Sequence, residues 1–365
     1  MSIGFGTWFL LQNLTDTRRI HLPLRLAYGK LGEAYFRRAK AQRLFLSRIT
    51  IYDKKGLPLS FILIAEKCRG CIMDILTSGR FINIQPLDKG WSADKKYCAT
   101  GADGTKYLLR ISPASQYGRW HALFDILRKV AALGVHICHP IELDTCDEGV
   151  YTLHSWIDGP DLRETLPSLP ESNQCKLGLQ SGQFLKKIHS IPAPATKSDW
   201  AAHYNKKINK RIGAYLKCGL RFDGDEYILD FLEQNRNLLI GRPWSFQHGD
   251  YHDGNMMLQH GELQIIDFDR YDFEDPWHDF NRISFSAETS PIFASAQLHG
   301  YFNGEPPEEF FVLLALYMAS NTLASIPWAI SFGQSEIDYM VKRSQDMLVW
   351  YNNMKNPVPI WYRES

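Results

Sequence analysis

The sequence lacks long apolar runs, a disulfide framework and a strong overall charge. No stretch reaches the roughly twenty apolar residues that a membrane-spanning helix needs. Ile3 to Leu14 is mildly apolar, but no basic stretch precedes it and no small-residue cleavage site follows, so it reads as neither signal nor anchor. The seven cysteines (Cys68, Cys71, Cys98, Cys138, Cys146, Cys175 and Cys218) are scattered and odd in number. That pattern suits reduced thiols in a cytoplasmic protein. Cys68-Arg-Gly-Cys71 has the spacing of a redox pair or half a zinc site, but no second pair accompanies it.

The net charge of +1 conceals an asymmetry. Residues 1–72 hold 13 Lys and Arg against 4 Asp and Glu, a net of +9; the remainder holds 28 against 36, a net of −8. A basic head on an acidic body suggests separate units. We divide the 365 residues into a basic extension (1–72), a first lobe (73–156) and a second lobe (157–365). In the head, Leu31 to Leu46 has the pattern of a basic amphipathic helix, which could meet nucleic acid or an anionic membrane; a packed accessory helix or a poorly ordered extension accounts for it equally well. Met73 could serve as a second translation start.

From Phe81 the text becomes regular. Phe81 to Pro86, Lys96 to Thr100 and Lys106 to Ile111 read as strands, with Asp103-Gly104 as a hairpin turn between the last two. Trp120 to Leu133 has helical spacing and stops at Gly134. Ile137 to Leu143 and Gly149 to Ile157 add two strands. After Asp158-Gly-Pro160 the pattern turns helical: Ser172 to His189, Ala201 to Leu216, Asp225 to Leu239, Pro307 to Ser325 and Ser335 to Asn353. The expected fold class is α+β: a small antiparallel sheet with one main helix, then a mostly helical lobe.

The block from Trp244 to Asp269 carries the chemistry. It reads His248-Gly-Asp250, four intervening residues, Asn255, a short hairpin turning near Gly261, then Ile266-Asp267-Phe-Asp269. The hairpin returns Asp267 to the end occupied by Asn255. Phosphoryl transfer needs charge neutralisation and in-line positioning rather than covalent help. Mg²⁺ prefers hard oxygen ligands, and Asn255 and Asp267 offer them. Asp250 can accept or orient the proton of an attacking hydroxyl. Four residues between Asp and Asn is the catalytic-loop spacing of kinases. Taken singly, Asp250 and Asn255 are also ordinary turn residues. His248 reads as a structural hydrogen-bonding group, Asp275 and Asp279 as loop-fixing groups, and Asp269 as either support or solvent-facing.

With Trp156-Ile-Asp-Gly159, Leu185-Lys-Lys-Ile-His189 and Asp275-Pro, this block resembles the aminoglycoside phosphotransferase group, which includes choline-type and other metabolite kinases. The resemblance runs from about Phe81 to Tyr351. It implies a bilobal protein-kinase-like fold, ATP or GTP as phosphate donor, Mg²⁺ on Asn255 and Asp267, and Asp250 as catalytic base. It also places Gly90-Trp-Ser92-Ala-Asp94 over the phosphates, with Ser92 as a contact, and makes Leu153-His154-Ser155-Trp156-Ile157 the hinge whose backbone meets the base.

Two departures stand out. The third strand has Arg110 where the group has a phosphate-gripping lysine, and arginine's planar fork binds with different geometry. The helix that should hold that lysine's glutamate has Leu123 at the aligned position. Asp125 lies about 200° round the helix from it. Either Asp125 serves through a shifted register, or the pair is missing and Arg110 is poorly fixed. No long activation segment ending in Ala-Pro-Glu follows Asp267, which disfavours a protein kinase.

The acidic body suits a cationic hydroxyl acceptor, such as an aminoglycoside, another amino-sugar or an amine alcohol. Candidate carboxylates for it are Asp272, Glu274, Glu288, Glu308, Glu309 and Glu336, and candidate apolar walls are Trp277, Trp328 and Tyr339. Three readings follow: an active small-molecule kinase, monomeric or dimeric and in some cases antibiotic-modifying; a nucleotide-binding module with weak transfer; and a basic head acting as an interaction arm.

Overall fold

The computed structural model describes residues 46–52, 58–64, 79–87, 94–146, 148–195 and 198–364. The chain divides into two compact units, Met1–Asp74 and Ile75–Ser365. In the first, β1 (Leu46–Tyr52) and β2 (Pro58–Ile64) form an antiparallel hairpin that the sequence reading did not anticipate. The expected helix over Leu31 to Leu46 and the Cys68/Cys71 pair fall outside the described residues, except that Leu46 begins β1.

The second unit opens with a five-stranded antiparallel sheet ordered β3-β4-β5-β7-β6: β3 (Phe81–Pro86), β4 (Lys95–Gly101), β5 (Lys106–Ser112), β6 (Pro140–Cys146) and β7 (Gly149–Ser155). Helix α1 (Tyr117–Ala132) connects β5 to β6. Its buried face, Trp120, Leu123, Phe124, Leu127 and Val130, recurs at three- and four-residue steps and joins the main core. Burying a side chain of this kind contributes about 1.5–3 kcal/mol.

The rest is mainly helical: α2 (Glu171–His189), α3 (Trp200–Lys217), α4 (Asp225–Gln234), α5 (Ile283–Thr289), α6 (Pro291–Phe302), α7 (Glu308–Ala329) and α8 (Gln334–Trp350). Helices α5 and α6 were not read from sequence. The stretch Glu308–Phe332 passes the length and composition test for a membrane span, but 67% of its apolar 18-residue window is buried inside the protein, as in a core helix. Helix α7 within it packs against α3 and α8 as the central helix of this lobe.

Two short sheets position the chemistry. β8 (Ser245–Gln247) pairs with β11 (Asp272–Glu274), and β9 (Met256–Gln259) pairs with β10 (Glu262–Ile265). The first pair holds both ends of the segment 248–271 together. The second folds that segment back on itself. The linker after β7 lies on this hairpin: Leu258 N donates to Pro160 O at 3.0 Å, and a Cβ at Gly159 would stand 1.7 Å from Leu258 O. Only glycine fits that approach.

Candidate active site

The turn His248-Gly249-Asp250 is fixed from beneath. Asp279, fully buried, accepts from His248 N at 2.8 Å and from Gly249 N at 2.9 Å, and His189 Nε2 lies 3.2 Å from it. Burial opposes ionisation of Asp279, but the His189 contact and these N–H donors outweigh it and lower its pKa. Gly249 has φ +84°, and a Cβ there would lie 2.1 Å from Arg270 O. His248 Nδ1 accepts from Asp250 N at 3.2 Å, so the ring carries its proton on Nε2, 2.9 Å from Ile266 O. His248 is thus a structural strut between the two halves of the site.

Asn255 is oriented by its amide, whose Nδ2 donates to Asp250 O at 2.9 Å; its own backbone O accepts from Ile266 N at 3.0 Å. The side-chain oxygen of Asn255 therefore faces away from the loop. Asp267 follows at once, in a left-handed conformation (φ 65°, ψ 63°) that is uncommon for a non-glycine residue. Its Oδ1 is buried and has no hydrogen-bond partner among the described residues. Burial, and then the Asp269 carboxylate, push the Asp267 pKa up, against Lys96, Arg110 and His248. A buried carboxylate oxygen without a partner costs about 1–3 kcal/mol or more. A strained backbone and an orphaned oxygen on Asp267, with an oriented amide on Asn255 joined to the preceding residue by the Ile266 N to Asn255 O bond, fit a hard divalent cation.

The Asp250 carboxylate accepts no hydrogen bond among the described residues. Arg282 Nε lies 3.4 Å from Oδ1, Arg270 Nε 3.7 Å from Oδ2, and His252 Nε2 3.8 Å from Oδ1.

Arg110 is firmly held, contrary to the expectation of a loosely fixed side chain. It is 5% exposed, pairs with both oxygens of Asp269 (Nη1 to Oδ1 2.7 Å), donates from Nη2 to Asp94 Oδ2 at 2.9 Å, and lies 4.8 Å over the Trp120 ring. Leu123 is buried, and Asp125 faces solvent beside Arg128 and His121. The pair with the helix is missing, as the second alternative has it, but Arg110 is not left loose. The counter-ions come from Asp94 before β4 and from Asp269, which Arg110 keeps ionised despite burial. Arg119 ties the helix to the same segment, donating to Asp269 O at 2.6 Å.

The sequence reading missed Lys96. It pairs across β4 and β5 with Arg110, so both side chains share one face of the sheet, and its charge acts on Asp267 and Asp269. No carboxylate forms an ion pair with it among the described residues. The signal was its place opposite Arg110 in a predicted hairpin.

Two side chains of the expected hinge, which was assigned through its backbone, have partners within the sheet and core. The His154 side chain points into the core under α1, within 5.1 Å of the Phe124 ring and 6.1 Å of Trp120, with Nε2 3.2 Å from Thr152 Oγ1. Ser155 exchanges hydrogen bonds with His139, through N to His139 O at 3.0 Å and through Oγ from His139 N at 2.8 Å. The backbone groups of Trp156 and Ile157 form no hydrogen bond among the described residues, and Trp156 Nε1 is buried without one. Ser92 lies outside the described residues.

Burial, aided by Arg110, pushes the His154 imidazole down to about 3 from 6.5. Unfolded chain then takes up a proton near pH 6.5 that folded protein refuses until about pH 3. Stability is therefore intact above pH 6.5 and falls as pH drops toward 3. At about 1.36 kcal/mol per unit, this one group removes roughly 2–3 kcal/mol between pH 7 and pH 4.5. Urea unfolding at those two pH values should show His154→Leu losing less stability than wild type by that amount; an equal loss contradicts the assignment.

None of the candidate acceptor carboxylates forms an ion pair with Arg270 or Arg282, the arginines beside Asp250, among the described residues. Glu274 is buried and pairs with Lys207 at 2.6 Å and with His278; burial resists its ionisation, but these cations lower its pKa. Glu288 pairs with Arg343. Glu308 and Glu309 lie in the first turn of α7 and Glu336 in that of α8, all exposed; Asp272 is exposed on β11. Trp277 packs on Phe310 and under Arg242, Trp328 stacks near Phe332, and Tyr339 is exposed near Arg343.

A phosphotransferase enzyme family model matches residues 83–311, which include the sheet, α1 and the whole segment from His248 to Asp279. The chain belongs to that family. No curated protein matches it. Among solved structures, a thermostable mutant of aminoglycoside phosphotransferase APH(4)-Ia, in a ternary complex with ADP and hygromycin B, is 16% identical with a TM-score of 0.56, over 76% of this chain and 97% of that one. A choline/ethanolamine kinase family protein from Mesorhizobium loti is 17% identical with a TM-score of 0.56, over 77% and 93%. The amicoumacin kinase hAmiN, in complex with AMP-PNP, Ca²⁺ and Ami, is 14% identical with a TM-score of 0.56, over 79% and 95%. At these identities the likeness concerns the fold, which is the bilobal α+β fold of small-molecule kinases.

Proposed function

We propose that this phosphotransferase moves the γ-phosphate of ATP, or of GTP, to a hydroxyl of a small molecule, with Asp250 as base. One observation carries the reading: Asp267 Oδ1 is buried and unpartnered, beside an Asn255 whose amide turns its oxygen outward. Mg²⁺ on those two oxygens would supply charge neutralisation at the transferring phosphate. Asp250 takes up the acceptor's hydroxyl proton as the oxygen attacks. Residues 73–156 bind the nucleotide, its base against the backbone of Trp156 and Ile157 and its phosphates under Ser92; residues 157–365 supply the catalytic loop and acceptor site.

With Arg110 occupied by two carboxylates, the phosphate-gripping role passes to Lys96. Lys96→Met should raise the ATP KM by about tenfold or more, as expected when a charge-assisted contact worth about 1.5–3 kcal/mol is lost. Steady-state kinetics check this; an unchanged KM returns the role to Arg110.

The occupied Arg110 also favours a second reading, a nucleotide-binding module with weak transfer. Incubation with ATP, Mg²⁺ and a panel of hydroxyl compounds, with mass detection of product, separates the two. Phosphorylated product that disappears in Asp250→Ala supports transfer, while Mg²⁺-dependent ATP binding without product supports the module.

A further inference from the structure

The surroundings of Asp250 are cationic. Arg282 sits in the turn Pro276–Arg282 just before α5. Its Nε is buried without a hydrogen-bond partner, and no hydrogen bond from its other nitrogens is found among the described residues. Its contact with Asp250 is the 3.4 Å ion pair. Arg270, half exposed, approaches the other oxygen of the same carboxylate. The neighbouring arginines are already matched, Arg343 by Glu288 and Arg163 by Asp253. Two guanidinium groups therefore share the single carboxylate of Asp250.

A pocket of about 40 Å³ opens beside Arg282, between α5, α7 and α8. It is lined by Arg282, Arg343, Asn281, Asn321, Thr322 and Ser325 among others, and by no Asp or Glu. A water needs about 10–15 Å³ of such space, so the pocket takes a carboxylate- or phosphate-sized group rather than a sugar ring. Among the lining residues an ammonium group would meet two guanidinium groups and no carboxylate; the carboxylates nearest to them, Asp250 and Glu288, are already engaged with those arginines.

We propose that the acceptor carries an anionic group, a carboxylate or a phosphate, that docks on Arg282 beside the pocket while its hydroxyl faces Asp250. This rests on the phosphotransferase reading of Asp250, and it replaces the cationic acceptor suggested by overall composition. Arg270 and Arg282 share the one Asp250 carboxylate, and an acceptor anion docked beside them supplies the second negative charge. Burial lowers the Arg282 pKa, and Arg270, Arg211 and Arg343 lower it further, so an incoming anion relieves this crowding.

The test uses the full chain with saturating ATP and Mg²⁺, and probes matched in size: glucuronate, glucose 6-phosphate, glucose and glucosamine, then glycerate, glycerol and serinol. The carboxylate and phosphate arms identify which anion is read. For at least one anion, kcat/KM should exceed that of its neutral and ammonium counterparts by about tenfold or more. Arg282→Met should erase the preference by raising the KM for that anion, and Arg282→Lys should keep part of it. Equal or better turnover of the ammonium probes overturns the proposal, as does no turnover of any anion. A loss in Arg282→Met that is uniform across all probes, with a raised ATP KM, also overturns it and assigns Arg282 to the nucleotide phosphates. Calorimetric titration with Mg²⁺ and ATP separates the two levels: absent binding defeats the phosphotransferase reading itself, whereas binding with phosphorylated glucosamine defeats only the anionic acceptor.

Discussion

Asp250→Ala should lower kcat by about 10²–10⁴-fold, the usual contribution of a positioned general base. The ATP KM should change little, because Asp250 touches neither the sheet nor the hinge. The carboxylate supports no local structure: its contacts are ion pairs of 3.4–3.8 Å to Arg282, Arg270 and His252. The turn that carries it is held instead by Asp279 and by His248, through backbone groups that alanine retains. The variant should therefore fold with a melting temperature near wild type, and the loss can be read as chemistry. Removing the carboxylate also frees Arg270 and Arg282, so an anionic acceptor should bind the variant at least as tightly as the parent. Single-turnover rates with calorimetric acceptor binding check both statements. A kcat within severalfold of wild type would remove Asp250 from the reaction.

Asp267→Asn should split activity from stability. Loss of the charged metal ligand removes several kcal/mol of transition-state stabilisation, and at about 1.36 kcal/mol per decade the rate should fall by roughly 10³-fold. Mg²⁺-dependent nucleotide binding should weaken with it. The metal-free protein should become more stable by about 1–2 kcal/mol, because the substitution replaces a buried charge beside the Asp269 carboxylate with a neutral amide. Asparagine tolerates the left-handed backbone at this position. Residues that build a fold lose stability when replaced, whereas a group strained for function gains it. Urea unfolding without metal, beside nucleotide titration with it, measures both signs. A destabilised variant with normal nucleotide affinity would make Asp267 structural.

The catalytic segment was legible because its order is local. Four residues between Asp250 and Asn255 and a hairpin turning at Gly261 fix geometry over a few bonds, and the β9–β10 register returns Ile265 opposite Met256, so that Ile266 meets Asn255. The strands of the sheet were legible for the same reason, through period-two patterning and the Asp103-Gly104 turn. The partners of Arg110 were not. Asp269 lies 159 residues away, and its approach depends on the packing of the two lobes, which no window of sequence encodes. Arg282 was invisible on similar grounds: its contact with Asp250 joins a loop to the start of a helix, and an arginine there looks like any surface cation.

Helix α6 was missed for a different reason. Nearly every face of it is buried, so it shows no amphipathic stripe. Its signal was the cap, Ser290 accepting from Phe293 N at 3.0 Å with Pro291 at the first helical position. The inward placing of the His154 side chain was legible in the alternation along β7. Leu153 packs with Phe81 and Ala99 on one side of the sheet, so the next residue must face α1. The cationic acceptor was inferred from the charge of the whole body. Pairing consumes much of that charge locally, as at Glu274 and Glu288, and the pocket lined by Arg282, the partner of Asp250, holds a second arginine, Arg343.

The central claim is that Asn255 and Asp267 hold one metal ion in front of Asp250. Crystals grown with ADP and Mn²⁺, with data collected at the manganese edge, test it directly. An anomalous peak about 2.0–2.2 Å from Asp267 Oδ1 and the Asn255 side-chain oxygen, in contact with the nucleotide phosphates, is the expected result for an ion of this class. Bound nucleotide with the peak on other residues would contradict the account.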